Sequence, residues 1–526
     1  MTAGSSIGAG LAPARASRPI RPGERIHIVG AAGAGASAAA LLGHAAGAIV
    51  TGCDPGGASP YTPPLVAAGI PLDWRHDPAH VITPEAPDRL GVTKALTAMQ
   101  PDHPELAAAR ATRIPVESWQ QVVADAAAGR TLIGVAGTHG KSTSAGWLVH
   151  VLVQAGVDPS AFVGALLPAS LTGALPATAR SGSGPAFVVE ADEYAGNFDV
   201  YRPAIAIVTS AEWDHPDVFA DRAAVVGAFE RWLRLAGETE TAAGGGQPTV
   251  VIANVAESGV AELAARLADW PGSVVATALV DAPSQRIASF ARGISEQYST
   301  VAGRARTLIA RVAEAGPTGT VVEIHGLDEL RGPRSVRLPT AGRHNAANAL
   351  GVAGAAAALG IAPDGILAGL ETFPGVGRRL ERKGEAAGVA VYDDYGHHPT
   401  AIRETLLAVR QREPGRRVWA VYEPLTYHRT AALLDDFAAA LSAADGVAIA
   451  DIWAGRDPDT SIASADGLAE AVARIRPDIP VGAPGSVERT ARWLAAETRA
   501  GDAVLVLGGG RSYRIGELLL EELERR

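Results

Sequence analysis

TLIGVAGTHGKST, residues 131–143, holds a strand, a glycine-bearing turn and the start of a helix in immediate succession. TLIGVAG is an apolar run of the length of a buried strand, and from Lys141 onward the pattern turns helical. Amides at a helix N-terminus carry partial positive charge, and glycine lets a phosphate approach the backbone. Gly137, Thr138, His139, Gly140, Lys141, Ser142 and Thr143 therefore read as a nucleotide-phosphate loop. Lys141 supplies a point charge for the β/γ-phosphates and Ser142 a hydroxyl for Mg²⁺. The usual phosphate-loop spacing would place its first glycine at Val135, whereas here glycine comes at Gly137.

The same alternation of strand and helix recurs on both sides. Upstream, RIHIVG (25–30), an Ala-rich helix (36–46) and AIVTGCD (48–54) form a strand–helix–strand start. Downstream, AFVVEAD (186–192), AIAIVTS (204–210) and TVVIAN (249–254) continue the series, and VAVYDD (389–394), RVWAVYE (417–423), GVAIADI (446–452) and AVLVLGG (503–509) make a third block. Strands separated by helices predict an α/β chain of parallel sheets covered on both faces. Between 272 and 340, VVATALV, TLIARVA and TVVEIHG lack a helix between the last two, which predicts an antiparallel extension. Boundaries are expected near 128–131 and 337–343. This gives a flexible tail at 1–24 and domains at 25–129, 130–341 and 342–526. GETETAAGGGQP (237–248) reads as a flexible insertion.

The 526 residues fit three or four domains at about 150 residues each. Lys plus Arg number 46 against 56 Asp plus Glu, a net charge of −10 that argues against a dedicated nucleic-acid binder. Hydrophobic residues at 47% and charged residues at 19% exclude extensive disorder. The single cysteine, Cys53, excludes an internal disulfide and a zinc site built from cysteines, and reads as a small buried hydrophobe. No apolar run reaches about 18 residues, so no membrane helix is expected. The first residues lack the order of a signal peptide. A soluble, cytoplasmic protein is expected, as a monomer or homodimer.

Three further stretches carry chemistry. Glu190 and Glu193 in EADEY, and His215 in EWDHPD, follow neighbouring strands, whose ends face one crevice. A carboxylate and an imidazole there suit Mg²⁺ beside the phosphate loop. DDYGHHPT (393–400) gathers Asp393, Asp394, Tyr395, His397 and His398 at another strand end, with Thr400 as a candidate helix cap. Asp394 suits a ribose or a metal, and His397 a substrate carboxylate or phosphate. Arg429, in YHRT (427–430), offers a bidentate clamp for a carboxylate. In the first block GAAGAGAS (30–37) resembles a dinucleotide or nucleotide-sugar diphosphate loop, with Asp54 placed for a ribose or base. A dehydrogenase reading of that loop would leave GTHGKST unexplained.

Taken in order, the glycine loop, GTHGKST, EADE, DH, GRHNAANA, GVGRR, DDYGHHPT and YHRT resemble the Mur ligases, the ATP-dependent amide-forming enzymes of peptidoglycan synthesis. The likeness runs from about residue 25 to the C-terminus and is nearest to the alanine-adding member. It implies three domains: a Rossmann-like N-terminal domain for the UDP-sugar, a central P-loop ATPase-type parallel-sheet domain, and a Rossmann-like C-terminal domain. It further implies ATP and Mg²⁺ as cofactors, and phosphorylation of the carboxylate of UDP-N-acetylmuramate to an acyl phosphate. On the same resemblance the amine of L-alanine would attack that acyl phosphate and the tetrahedral intermediate would lose phosphate, in a cytoplasmic step of wall biogenesis on which cell shape and division depend.

By motif match Lys141, His215, His397 and Arg429 are implied to be catalytic, and Ser142, Glu190 and His215 to hold the metal. The loop 137–143 with His344, Asn345, Asn348, Arg379 and Asp394 would serve the nucleotide. Gly30, Gly33, Gly35, Ser37 and Asp54 would meet the UDP moiety, and Tyr395, His397 and Arg429 the substrates. EADEYAGNFDVYRP and EWDHPDVF look more like the sister enzyme that attaches a recycled murein tripeptide, whereas YHRT points to alanine. Alanines at 32 and 36 depart from the family's sugar loop, which leaves a non-catalytic nucleotide-sugar-binding paralogue as a third reading.

Overall fold

In the computed structural model, which describes residues 7–242, 249–328, 330–455, 457 and 459–526, three sheets follow one another along the chain. The first has five parallel strands. Arg25–Val29 lies at its centre between Ile49–Cys53 and Arg89–Val92, with Leu72–Asp73 and Val116–Ser118 at the edges. The second has ten strands. Its middle is Thr131–Ala136, flanked by parallel Ile205–Val208 and Ala186–Glu190. The third has six, with Val389–Asp394, Asp502–Gly508 and Arg417–Glu423 side by side and parallel. The expected antiparallel extension is present: Arg306–Gly316 pairs antiparallel with Gly319–His325, and that strand with Arg334–Leu338.

Packing moves two of the expected boundaries. The helices Arg343–Ala358 and Pro363–Glu371 were expected to open the last domain. Instead Ala349, Val352, Ala353, Ile366 and Leu370 are buried in one apolar cluster with Ile133, Leu148 and Ile207. Their small and branched side chains fit the second sheet, so the middle unit continues past residue 370. Residues 7–24, expected to be a flexible tail, are pinned by charge. Arg15 pairs with Glu117 at 2.8 Å and Asp125 at 2.6 Å, and Arg18 with Glu24 at 2.6 Å, while the buried Arg89 meets the same three acids from inside. Of the expected insertion at 237–248, the helix Arg222–Ala242 takes the first part, and 243–248 lie outside the described residues.

The first and second sheets share a core. The helix Ala34–Ala45 buries Ala36, Ala38, Ala39 and Ala40 in one cluster with Ile26, Ile28, Phe162 and Ala179, and Trp119 meets Phe162 edge-on at 5.2 Å. Two further clusters cover the two faces of the third sheet. The strand ends of the second and third sheets face each other, and this opposition makes the cleft described next.

Candidate active site

A cavity of about 570 Å³ opens where the second and third sheets meet. The order of the second sheet reverses at Thr131–Ala136, whose neighbours belong to later parts of the chain, and such a switch point leaves a crevice beyond the strand ends. Three segments converge there: the turn 137–140, residues 190–194, and 209–215. Gly137 (φ 136°) and Gly140 (φ 78°) have backbones suited to glycine, and a side chain at 140 would run into Asn348.

Lys141, the first residue of the helix Lys141–Gln154, folds back so that its Nζ donates to the Gly137 carbonyl at 2.6 Å. It lies 3.1 Å from Glu193 Oε2 and 3.7 Å from Asp192 Oδ1. Burial pulls this ammonium down, but Glu193, Asp192 and Glu190 outweigh it and hold it firmly charged. Burial likewise lifts the Glu193 carboxyl to about 7, against the pull of Lys141. Ser142 Oγ donates to Glu190 Oε1 at 3.0 Å, and the second oxygen of Glu190 accepts from the Gly164 amide at 2.6 Å.

Of the donor set implied above, Ser142, Glu190 and His215 all line the cavity, and His215 also belongs to a second group of candidate donors. Glu190 is engaged by Ser142 and Gly164, whereas Asp192, Glu193 and His215 offer donor atoms within 4.8 Å of one another. The apolar strand stops at Glu190, so Asp192 and Glu193 fall in the turn beyond it and reach the lysine. Two carboxylates, an imidazole and a nearby hydroxyl on Ser142 form the oxygen-rich donor set that suits Mg²⁺.

The third sheet contributes the opposite wall. Arg429 is buried in the helix Tyr427–Ala432; its Nε donates to Asp214 Oδ1 at 2.8 Å and its Nη2 to His215 Nδ1 at 3.1 Å. The guanidinium expected to clamp a substrate carboxylate is thus committed largely to Asp214 and His215 of the middle domain. His215 (φ 56°) and Thr426 (φ 62°) sit in left-handed backbone, which costs energy for branched or bulky residues and concentrates at functional sites. Arg379 Nη2 donates to Ser142 Oγ at 2.8 Å, and its guanidinium lies 5.1 Å from the Tyr395 ring centre. Asp394, expected at the nucleotide or a metal, lines the cavity and accepts from the amides of Leu380 and Gly396, both at 2.7 Å, which fix its carboxylate in the turn.

A cluster of histidines lies deeper. His139 and His398 are 4.5 Å apart, and Thr400 Oγ1 donates to Glu212, which also faces both rings. Burial and His139 lower His398 and His344 to about 4, so both are neutral at physiological pH. His397 is also held well below the ordinary imidazole range by burial and Arg429, and its Nδ1 lies 3.0 Å from the Tyr395 carbonyl. His344 and Asn348 line the cavity, whereas Asn345 turns inward and donates to the Ala341 carbonyl at 2.8 Å. Asp192, Glu212 and Asp214 escape a sequence reading because acids after strand ends are ordinary loop residues until the fold brings them together.

The glycine loop of the first domain lies outside this cavity. Gly30 (φ 80°) and Ala31 donate to the Cys53 carbonyl, and Gly33 caps the helix Ala34–Ala45. Gly35 is a packing glycine, since a Cβ there would overlap the Trp119 ring. Ser37, expected at the UDP moiety, is fully buried; its hydroxyl donates to Ala34 and meets Thr178 of the second sheet at 3.1 Å. Asp54 accepts from Ala32 at 3.1 Å and Gly56 at 2.8 Å, so it shapes the loop from within.

Two family models match the chain: "Mur ligase family, catalytic domain" over residues 25–131 and "Mur ligase, glutamate ligase domain" over 378–510. The UDP-N-acetylmuramate–L-alanine ligase of Frankia casuarinae is 36% identical, covering 95% of this chain and 98% of the relative. The crystal structure of a UDP-N-acetylmuramate–alanine ligase from Thermotoga maritima superposes with a TM-score of 0.71 at 21% identity, covering 95% of this chain and 99% of that one. A murein peptide ligase from Psychrobacter arcticus gives 0.68 at 25% identity, covering 96% and 99%.

Proposed function

The chain belongs to the Mur ligase family, and from that premise we propose that it is the ATP-dependent ligase joining L-alanine to the carboxylate of UDP-N-acetylmuramate. The observation that carries this reading is the cluster of Lys141, Glu193 and His215 at the switch point, held across the cleft by Arg429. The names of relatives at 34–36% identity over nearly their whole length support the substrate pair.

Mg²⁺ bound by Asp192, Glu193, His215 and Ser142 would neutralise phosphate charge during transfer to the muramate carboxylate. The remaining work falls to the chain's own groups. The turn 137–140 presents backbone amides and the Lys141 ammonium to the phosphates. Arg379 adds a second positive charge from the third domain, beside Ser142. Arg429 fixes Asp214 and His215, so the metal-facing imidazole keeps one orientation. The neutral His397, His398 and His344 add no positive charge to that of Arg379 and Arg429, which leaves them able to hydrogen-bond an incoming amine. ATP and nucleotide sugars are made in the cytoplasm, where we place the enzyme.

A second reading rests on EADEYAGNFDVYRP and on the Psychrobacter structure: ligation of a recycled murein tripeptide. Phosphate release with ATP, Mg²⁺ and UDP-N-acetylmuramate, comparing L-alanine with L-Ala-γ-D-Glu-meso-diaminopimelate, separates them. Turnover with alanine supports the proposal. Turnover with the tripeptide alone replaces it, and silence with both leaves a nucleotide-sugar-binding paralogue.

A further inference from the structure

Far from the cleft, behind the glycine loop of the first domain, lies a second polar cluster that the ligase reaction does not use. His27, at the middle of Arg25–Val29, and Cys53, at the end of Ile49–Cys53, project from adjacent strands. His76 and His80 come from the segment WRHDPAH (74–80), and His103 and Glu105 from DHPEL (102–106), which opens the helix Pro104–Thr112. The chain has 13 histidines and one cysteine, so this small volume concentrates four of the histidines and the whole thiol content. The donor atoms of His27, Cys53, His80 and Glu105 all lie within 4.8 Å of one another, and those of His76, His103 and Glu105 form a second such set.

The spacing is that of ligands around an ion. Cys53 Sγ is 3.2 Å from Glu105 Oε2 and 3.4 Å from His27 Nε2, and those last two atoms are 3.6 Å apart. Metal–nitrogen and metal–oxygen bonds of about 2.1 Å and a metal–sulfur bond of about 2.3 Å give tetrahedral edges of about 3.3–3.7 Å. Two of these three separations fall in that range, and the Sγ–Oε2 edge, at 3.2 Å, is slightly shorter, so the three atoms approximate one face of such a tetrahedron. His76 Nδ1, 3.2 Å from Sγ, and His80 Nδ1, 2.7 Å from Glu105 Oε1, crowd its open side. The outward nitrogens are anchored as in metal-ligating histidines: His27 Nδ1 meets Thr51 Oγ1 at 2.8 Å, and His80 Nε2 meets Asp73 Oδ2 at 3.1 Å.

His103, which shares Glu105 in the second donor set, packs edge-on against His76 at 4.2 Å. It is 1% exposed, and neither ring nitrogen has a hydrogen-bond partner. Buried polar atoms without partners are rare, and an ion or water is one of the groups that satisfies them.

We propose that Cys53, Glu105, His27 and one histidine of WRHDPAH bind a borderline transition-metal ion of the zinc class, stapling the first domain behind its glycine loop. Thiolate, imidazole and carboxylate together select zinc-type ions over Mg²⁺. The staple joins two central strands to a segment whose only strand is the two-residue edge Leu72–Asp73, and to the helix Pro104–Thr112. Because the Cys53 carbonyl receives the amides of Gly30 and Ala31, a ligated Cys53 also stiffens the glycine loop.

The test uses the full chain and Zn²⁺ alone. After chelator treatment and reloading, elemental analysis is expected to find one zinc per chain, with a rise in melting temperature of about 5 °C at saturating metal. Cys53→Ser and Glu105→Gln abolish both. Since these two variants can fail to fold, Co²⁺ is added to the wild-type chain as well. A thiolate-to-cobalt charge-transfer band appears only if Cys53, the sole thiol, is a ligand. Absence of that band, or zinc uptake that survives Cys53→Ser in a folded protein, overturns the proposal.

Discussion

Lys141 shows how one side chain earns its place from several sides. Its backbone starts a helix, its Nζ bonds Gly137, and its charge is matched by Glu193 and Asp192. Lys141→Ala removes the charge aimed at the phosphates while the helix stays, because alanine is a good helix former. ADP formation is expected to fall by about 10²–10³-fold. UDP-sugar affinity, measured by calorimetry, is expected to hold, since the glycine loop lies outside the cavity. Retained turnover would mean that another group carries the phosphate charge. Arg429→Lys is a subtler change: it keeps the charge but loses the planar fork that reaches Asp214 and His215 together. Turnover is expected to drop by about 10²-fold through misplacement of His215, with a larger effect on kcat than on KM. An equal rise in KM alone would mark Arg429 as a substrate clamp, the role its motif suggested. GTHGKST, DDYGHHPT and YHRT could be read from the chain because each packs polar residues at a strand end. The pairing of Arg429 with Asp214 could not, because 215 residues separate the partners.

Among the elements, the strands with long apolar runs were readable, and the short ones were not. RLGV (89–92) and VES (116–118) pair into the first sheet but carry too few apolar residues, and Arg89 is buried only because acids meet it. The helix Arg343–Ala358 was placed with the wrong domain because its Ala-rich face has no intrinsic address. The N-terminal stretch carries a testable pH signature. A hydrogen bond from Arg18, working against burial, lowers the Glu24 carboxyl to about 2. A folded value below the ordinary 4.5 means that the bound form favours the anion. Its contribution is complete above about pH 4.5 and drains as the pH falls toward 2. Arg18→Gln removes that contribution; Arg18 is 39% exposed, so the loss near neutrality is about 1 kcal/mol or less. Urea unfolding is expected to show the two proteins differing most above pH 4.5 and converging in acid. A gap independent of pH would assign the pinning to packing rather than charge.

For the molecule as a whole, three sheets must act on one reaction, yet the contacts between them are unequal. The first and second share a continuous apolar core, sealed by Trp119 on Phe162 and by Ser37 on Thr178. The third touches the second through the Trp213 ring, which packs against the third sheet's apolar cluster, and through a set of polar links: Arg429 to Asp214, Arg379 to Ser142, Thr400 to Glu212, and His398 to the Trp213 carbonyl. Apolar cores resist separation, whereas hydrogen bonds exchange readily with water, so the hinge is expected between the second and third units. Arg379 and Ser142 are also groups assigned above to the nucleotide, which ties its arrival to the seating of the third domain. Replacing Arg379 and Arg429 together with alanine is therefore expected to enlarge the ligand-free radius of gyration in solution scattering. A non-hydrolysable ATP analogue with UDP-N-acetylmuramate should compact the wild-type chain and fail to compact the double variant. Unchanged scattering in all four states would mean that the third domain is seated by its apolar surface instead, and that substrates enter without domain motion.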